Sequence, residues 1–443
     1  MTELSRPQAD RLLDGLENQG WEALGALSVE ERLVRLGAAG ARFLDHADPL
    51  TQEALEGLPG DAALSPEGSR ELLEGMARDW TEDRLRTALT ADFPDPLVLD
   101  GVRPGPGGDR VRAVPPRLLV QVGAGNVPGT GATALLRGLL VGAPTLLKPG
   151  TGDAVLPRLL ARAIAEEAPE LAPAYSVQEW MGGRGGSLEE RALGRADRVV
   201  VYGGWEAVRS VRERIPSGVP LVEYGHRVSV GIVTRSALSA AAAPGLAEAA
   251  AAAISAYEQR GCVSPHAIWV EEGGEVGPEV WAELVAQALE ARSREVPAPV
   301  PGPIMAEVAG RMRQLRDSAE LREAAGKGNR VMGGPGAGWM VLFEPAAPFE
   351  LSCLGRTVRI HPVADASSVP SLLGPARRIL QSCALEGAER DRMRVAGQLS
   401  EMGVTRLTTF RRQAWPPAWW RHDGEGPLRA LVRWVGLEAD LPL

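Results

Sequence analysis

Leu118-Leu-Val-Gln-Val122, Gly123-Ala-Gly-Asn-Val-Pro-Gly129 and the helix-like run Ala132–Val141 stand in succession, and Thr145-Leu-Leu-Lys148 follows them. A short apolar run, a glycine-rich turn, a helical period and a second apolar run make one strand–helix–strand unit. The alternation continues through helix-like Asp153–Glu167, strand-like Ser176–Met181 and a helical segment near Leu188–Leu193. Strand Arg198–Tyr202, helix Trp205–Arg214 and strand Leu221–Tyr224 extend it. This pattern predicts a mostly parallel sheet covered on both faces, with ligands at the carboxyl ends of its strands. Beyond residue 226 the Ala-rich stretch Ala240–Tyr257 reads as a buried helix closing near Arg260-Gly261, with glycine as its cap. Strand Ala267–Val270, helix Val280–Ala291 and the helical stretch Ile304–Ala325 follow. Upstream, Ser28 with Glu31 forms a capping box, and Ser65-Pro66-Glu67 starts another helix. A Gly/Pro-rich loop over 101–115 ends that helical part. The expected organisation is a helical region over 1–100 packing on a nucleotide-binding α/β domain over 101–225. A second α/β domain over 226–405 follows, then a tail over 406–443 with oligomerisation as its candidate role.

The 443 residues carry 48 Lys+Arg against 57 Asp+Glu, a formal charge of −9, which argues against a nucleic-acid coat. With 44% hydrophobic and 24% charged residues, the composition is that of a globular protein and not of a disordered chain. The opening Met1-Thr-Glu-Leu-Ser-Arg-Pro7 has no apolar core, so no signal peptide is expected. The most apolar stretch, Gly131–Leu147, is broken by Arg137 and Pro144, so no membrane span is expected and the reading is cytoplasmic. The three cysteines, Cys262, Cys353 and Cys383, share no CxxC spacing and read as reduced thiols.

Free cysteines are usually small hydrophobes. Cys262 stands apart because Gly261 leaves the backbone approachable and Arg260 favours a thiolate. Cys262 and His266 could be half of a metal site, but no second ligand pair lies nearby, and no metal is expected. The turn at Gly123–Gly129 is a poor GxGxxG, with Pro128 at the third glycine position. Turn geometry explains its glycines but not Asn126, whose carboxamide at a strand end could donate to a developing oxyanion. Lys148 closes the next strand and could meet a nucleotide, although a lone lysine is usually a solvated charge. Glu223 lies 39 residues before Cys262 and could act as a base, although exposure is the default for Glu.

The order of these features is more specific than any one of them. Gly125-Asn-Val-Pro-Gly129, Glu223-Tyr-Gly-His-Arg-Val-Ser229, Glu258-Gln-Arg-Gly-Cys-Val-Ser-Pro265 and His422-Asp-Gly424 with Pro427-Leu428 resemble motifs of one family. It is the fatty acyl-CoA reductase (LuxC-type) family of the aldehyde dehydrogenase superfamily. The resemblance implies two doubly wound α/β domains and reduction of a fatty acyl thioester, on CoA or a carrier, to the aldehyde. It implies Cys262 as the nucleophile that becomes acylated and Asn126 as the oxyanion donor beside the Cys262 N–H. Glu223 matches the general base of hydrolytic members. Lys148 matches the lysine at the adenosine ribose or its 2′-phosphate, and Gly203-Gly204 the turn approached by the cofactor pyrophosphate. Thr151 stands where NAD-preferring members often place a glutamate, so NADPH is expected over NADH. Glu350, in Phe349-Glu-Leu351, is the match for the glutamate that holds the nicotinamide ribose. A homo-oligomer, dimer or tetramer, is implied likewise. A hydrolytic aldehyde dehydrogenase and a non-catalytic nucleotide- or acyl-binding relative are the competing readings. His226, Arg227 and His422 have no assigned role, and Trp415–Trp420 reads as a packing cluster ahead of an acyl-tunnel wall.

Overall fold

The computed structural model describes residues 4–439 and 441 apart from 181, 183–185, 301, 335 and 346, and not the side chains of 303 and 304. Met1–Glu3, Met181 at the end of one expected strand and Pro335 in the run Gly333–Gly338 therefore lie outside the described residues. The chain forms two compact units. One holds residues up to 62, 71–225 and 417–443, and the other holds 63–70 and 226–416.

In the first unit the N-terminal segment is helical, and its start signals act as capping chemistry requires. The Ser28 hydroxyl accepts the Glu31 N–H at 3.2 Å, while the Glu31 carboxylate accepts the Ser28 N–H at 2.8 Å, opening the helix Val29–Ala41. Strands β1 (Arg103–Pro104) and β2 (Arg110–Val114) come next. β3 (Leu119–Val122), β4 (Thr145–Lys148), β5 (Tyr175–Val177), β6 (Arg198–Tyr202) and β7 (Leu221–Tyr224) then form a five-stranded parallel sheet ordered β5-β4-β3-β6-β7. The chain runs outward from β3 through β4 and β5, then returns to β6 on the other side. Its direction therefore reverses at β3, and ligand sites of such sheets lie at that reversal. Val120, Leu146, Val199 and Val201 are fully buried against Leu188, Ala192 and Leu193 of the helix Ser187–Arg195. Each such side chain contributes roughly 1.5–3 kcal/mol by leaving water.

The second unit is built on β8 (Val228–Val233), β9 (Pro265–Glu271), β10 (Arg330–Met332), β11 (Met340–Phe343), β12 (Thr357–Val363), β13 (Leu380–Glu386) and β14 (Arg406–Thr408). They make a seven-stranded sheet ordered β10-β11-β12-β9-β8-β13-β14, parallel except at β10. Ala250, Ala253 and Ile254 of the helix Ala243–Ser255 pack with Trp281, Val341 and Ile360 in its core. That helix ends at Ser255, short of the expected Gly261 cap. The return to the first unit starts at Pro417 and not at 406, because β14 pairs with β13. Asp92 then accepts the N–H groups of Leu428 and Arg429 at 2.7 and 2.9 Å. Finally β15 (Arg433–Leu437) pairs antiparallel with β2. Among the described residues no helix is long and apolar enough to cross a membrane.

Glu271 at the end of β9 shows how the second unit tolerates a buried charge. Burial pushes its carboxyl up, but the Arg235 side chain and N–H, the Ala366 N–H and Arg394, at 2.9–3.1 Å, outweigh that and hold it down at about 2. Its pKa is thus below the ordinary glutamate value, so its stabilisation is complete above that value and is lost as pH falls through about 2. In urea unfolding at stepped pH, the advantage of the wild type over Glu271→Gln should shrink by up to about 3 kcal/mol between roughly pH 5 and 2.

Candidate functional site

The register of the first sheet brings four of the expected residues to one edge. Val122 lies opposite Lys148 on β4 and opposite Val201 on β6, so the turn bearing Asn126, Lys148 and the Tyr202-Gly203-Gly204 turn emerge together. The Gly123 N–H donates to the Lys148 carbonyl at 2.7 Å, and the Gly203 N–H to the Tyr224 carbonyl at 3.1 Å. Asn126 is exposed, and Thr151 is exposed in the turn after β4. Burial lowers the pKa of Lys148, with Glu189 and Glu179 opposing that shift. Gly204 caps the helix Trp205–Arg212, and nothing stands within 4 Å of the place a Cβ would take there. An open backbone at a helix N-terminus, on the same sheet edge as a strand-end lysine one strand removed, has the donors that hold phosphate groups. Glu223 is held by Arg212 through two hydrogen bonds of 2.8 and 2.5 Å.

In the second unit Cys262 occupies a turn closed by Ser264 N–H to Gly261 carbonyl at 3.0 Å, and its side chain is half-buried. The approach to that turn is unusual. Tyr257, Glu258 and Gln259 have φ of 55°, 54° and 61°, three successive non-glycine residues in the left-handed region. Each costs on the order of 1–2 kcal/mol, so the conformation persists only where tertiary contacts over-determine it. Those contacts are present. Arg356 donates from Nε to Glu258 at 3.0 Å and from Nη2 to its other oxygen, and it also reaches the Val296 carbonyl at 2.7 Å. The Gln259 carboxamide donates to the Pro265 and Thr357 carbonyls at 2.9 and 2.6 Å and accepts the Thr357 N–H at 2.8 Å. The Tyr257 hydroxyl donates to the Ala414 carbonyl at 2.7 Å. Leu354, Gly355 and Arg356 on the facing segment are left-handed as well, with φ of 69°, 66° and 55°. The Glu258–Arg356 pair, 3% and 0% exposed, thus locks two strained loops together.

Ser229 of β8 fixes the nucleophile candidate from below. Its fully buried hydroxyl donates to the Cys262 carbonyl at 2.7 Å and lies 2.7 Å from the Ser382 hydroxyl. Ser382 is the register partner of Arg406. Burial and Arg412 pull the Arg406 guanidinium down to about 10, against the opposing charges of Tyr257 and Cys262. Arg260 is likewise lowered by burial, with Glu258 opposing, and its Nε donates to the Tyr257 carbonyl at 3.1 Å. Ser229 and Arg406 reach Cys262, and Arg356 reaches Glu258, only through long-range strand pairing and loop contacts that spacing along the chain does not show.

Burial, with His226, pushes His266 down to about 4, and as a neutral ring it accepts the Ser352 N–H at 3.1 Å. Among the described residues no three His, Cys, Asp or Glu side chains cluster as metal ligands would. Glu350 is exposed and paired with Arg359 at 2.7 Å. Arg227 donates to the Arg378 carbonyl at 2.6 Å. Cys383 is fully buried, and burial raises the pKa of both Cys383 and Cys353. The Trp415–Trp420 cluster divides: Trp415 meets Tyr257 edge-on at 5.0 Å, while Trp420 stacks on His422, which stacks on Tyr224 at 4.2 Å.

Comparison with known proteins adds three findings. The family model described as Acyl-CoA reductase (LuxC) matches residues 27–434. Long-chain acyl-protein thioester reductase 2 of Photobacterium leiognathi is 25% identical over 334 residues, covering 74% of this chain and 65% of its own length. The long-chain acyl-protein thioester reductase of Aliivibrio fischeri is 25% identical over 340 residues, covering 75% of this chain and 66% of its own length. The chain therefore spans about two thirds of the length of these curated relatives. Among solved structures, aldehyde dehydrogenase C of Pseudomonas syringae, in complex with NAD+ and octanal, superposes with a TM-score of 0.75 at 13% identity. It covers 100% of this chain and 91% of its own. A NAD-dependent benzaldehyde dehydrogenase of Corynebacterium glutamicum gives 0.69 at 15% identity, with 99% and 91% covered. The two units thus have the aldehyde dehydrogenase fold.

Proposed function

We propose, from the premise that this chain belongs to the acyl-CoA reductase (LuxC) family, that it reduces a long-chain acyl thioester to the aldehyde through an acyl-cysteine on Cys262. The observation that carries the reading is the over-determined loop at 257–262. A protein that keeps three left-handed residues ahead of one half-buried cysteine is holding that thiol in a set position.

In this reading the Cys262 thiolate attacks the thioester carbonyl, the C–S bond to the donor sulfur breaks, and the donor leaves as its thiolate, which takes a proton from water. Asn126 donates to the oxyanion that forms meanwhile. Arg406 acts electrostatically on Cys262, and a cation there stabilises an attacking thiolate. Lys148, Gly203 and Gly204 would hold NADPH, with Glu350 at its nicotinamide ribose. The cofactor, when bound, supplies the hydride that turns the acyl group into an aldehyde. With Thr151 where NAD-preferring members often place a glutamate, no carboxylate at that position repels a 2′-phosphate, which favours NADPH over NADH. Glu223 is occupied by Arg212 through two hydrogen bonds and is not free to receive a proton from an attacking water, which favours release of aldehyde over hydrolysis to the acid.

A screen of NADPH and NADH oxidation across acyl-CoA chain lengths, with aldehyde detected directly, tests the reading. Aldehyde formed with NADPH from long-chain thioesters is the expected result. Oxidation of aldehyde to acid without CoA would point instead to a hydrolytic dehydrogenase. Loss of one oxyanion donor typically costs about 10²–10³ in rate, so Asn126→Ala should slow acylation by that factor with an unchanged unfolding midpoint. Rapid-quench acylation alongside thermal unfolding checks both parts.

A further inference from the structure

The turn that bears Asn126 has no side-chain cap of its own, and a carboxylate from the neighbouring turn supplies one. Gly129 is the N-cap of the helix Thr130–Leu140, with φ 90° and no side chain to offer. Asp153, 24 residues on and 1% exposed, accepts the Gly129 N–H on Oδ1 at 2.6 Å and the Gly131 N–H on Oδ2 at 2.7 Å. At its other end the turn is tied by the Gly123 N–H to the Lys148 carbonyl. Between these ties the two backbones touch. A Cβ on Gly125 would lie 1.6 Å from the Thr151 oxygen, and one on Gly150 would lie 2.2 Å from the Gly125 nitrogen. Residues 123–129 are therefore moulded on residues 148–153, with the Asp153 side chain clasping the end of the turn.

A helix start can be capped locally by Ser, Thr, Asn or Asp at far lower cost. Here burial pushes the Asp153 carboxyl up to about 8 against two N–H donors, and Asp61 shifts it the same way. Asp61 is itself occupied with the Ala154 and Val155 N–H groups, at 2.8 and 3.0 Å. Two buried N–H groups 2.6–2.7 Å from two separate oxygens require two acceptors, which a carboxylate has and a carboxamide lacks.

We propose that Asp153 is a positioning residue of the reaction: by clamping Gly129 and Gly131 onto the cofactor-side segment it sets the carboxamide of Asn126 for the oxyanion. The inference rests on the acyl-cysteine reading above. The test is rapid-quench acylation of the full chain by radiolabelled palmitoyl-CoA without cofactor, on the wild type, Asp153→Asn, Asn126→Ala and the double variant. Misplacement of a catalytic group by about 1 Å can cost up to 10²-fold, so Asp153→Asn should slow acylation by roughly 10- to 100-fold. Its KM for palmitoyl-CoA and the iodoacetamide alkylation of Cys262 should stay within about twofold of the wild type. The double variant should be no slower than Asn126→Ala alone, as expected of two residues acting through one group.

Acylation at the wild-type rate overturns the inference. So does an equal slowing of the Asn126→Ala background, because Asp153 would then act otherwise than through Asn126. Where Asp153→Asn fails to fold, Gly131→Ala disturbs the same clamp with the carboxylate kept, since its Cβ would meet Pro157 Cγ at 2.9 Å and Asp153 Oδ2 at 3.0 Å. A wild type that forms no acyl-enzyme would overturn the functional reading itself, a result distinct from an acylating wild type that is indifferent to residue 153.

Discussion

Cys262→Ala is expected to lose aldehyde formation by about 10⁴-fold or more, while its thermal unfolding midpoint stays within a few degrees of the wild type. The size follows from chemistry. Without the thiolate no acyl-enzyme forms, and an uncatalysed transfer of hydride to a thioester must replace two easier steps. The retained fold follows from the surroundings. It is the Cys262 carbonyl, not its sulfur, that Ser229 holds, and the loop is clamped through Tyr257, Glu258 and Gln259. Alanine keeps every one of those contacts. Cys353→Ala and Cys383→Ala are the controls: the first should retain full turnover, and the second should act on stability because its thiol is completely buried. Full aldehyde formation by Cys262→Ala would remove the nucleophile from the account.

The second large effect lies at Glu258, four residues before Cys262. Glu258→Ala should destabilise the protein by about 3–5 kcal/mol, because it leaves the fully buried Arg356 guanidinium without its carboxylate. It also frees a loop that pays backbone strain at three residues, so the Cys262 turn should loosen before the sheet unfolds. Arg356→Ala should cost as much from the other side. The double variant should be less destabilised than the sum of the singles, since neither charge is then left alone. Urea unfolding of the four proteins completes the cycle, and hydrogen exchange at residues 257–264 reads the loosening. An unfolding midpoint for Glu258→Ala equal to that of the wild type would mean that the pair does not hold the loop.

These two residues also mark where sequence reading stops. β3, the glycine turn and β4 were legible because their pattern is local: an apolar run, glycines where backbones meet, and a lysine at a strand end. Cys262 and Asn126 stand out as candidates only through their place in a series of motifs. The left-handed segment was not. The Ala-rich run reads as helix through Tyr257, yet the helix stops at Ser255, because Arg356 and Thr357, 98 residues on from Glu258 and Gln259, impose another conformation. Glu223 reads from sequence as a strand-end carboxylate available to water. The partner that occupies it, Arg212, stands on a helix face that spacing alone does not orient. Arg406 and Asp153 have no signal of their own, since each matters only through a neighbouring strand or turn that the fold supplies.

A covalent acyl-cysteine on the path to aldehyde is read most directly by intact-protein and peptide mass spectrometry. The protein is mixed with a stoichiometric long-chain acyl-CoA in the absence of cofactor, and NADPH is then added. The expected result is one acyl group on the peptide bearing Cys262, discharged by NADPH as one equivalent of aldehyde. An acyl group on any other residue, or its release from Cys262 as fatty acid, would contradict it.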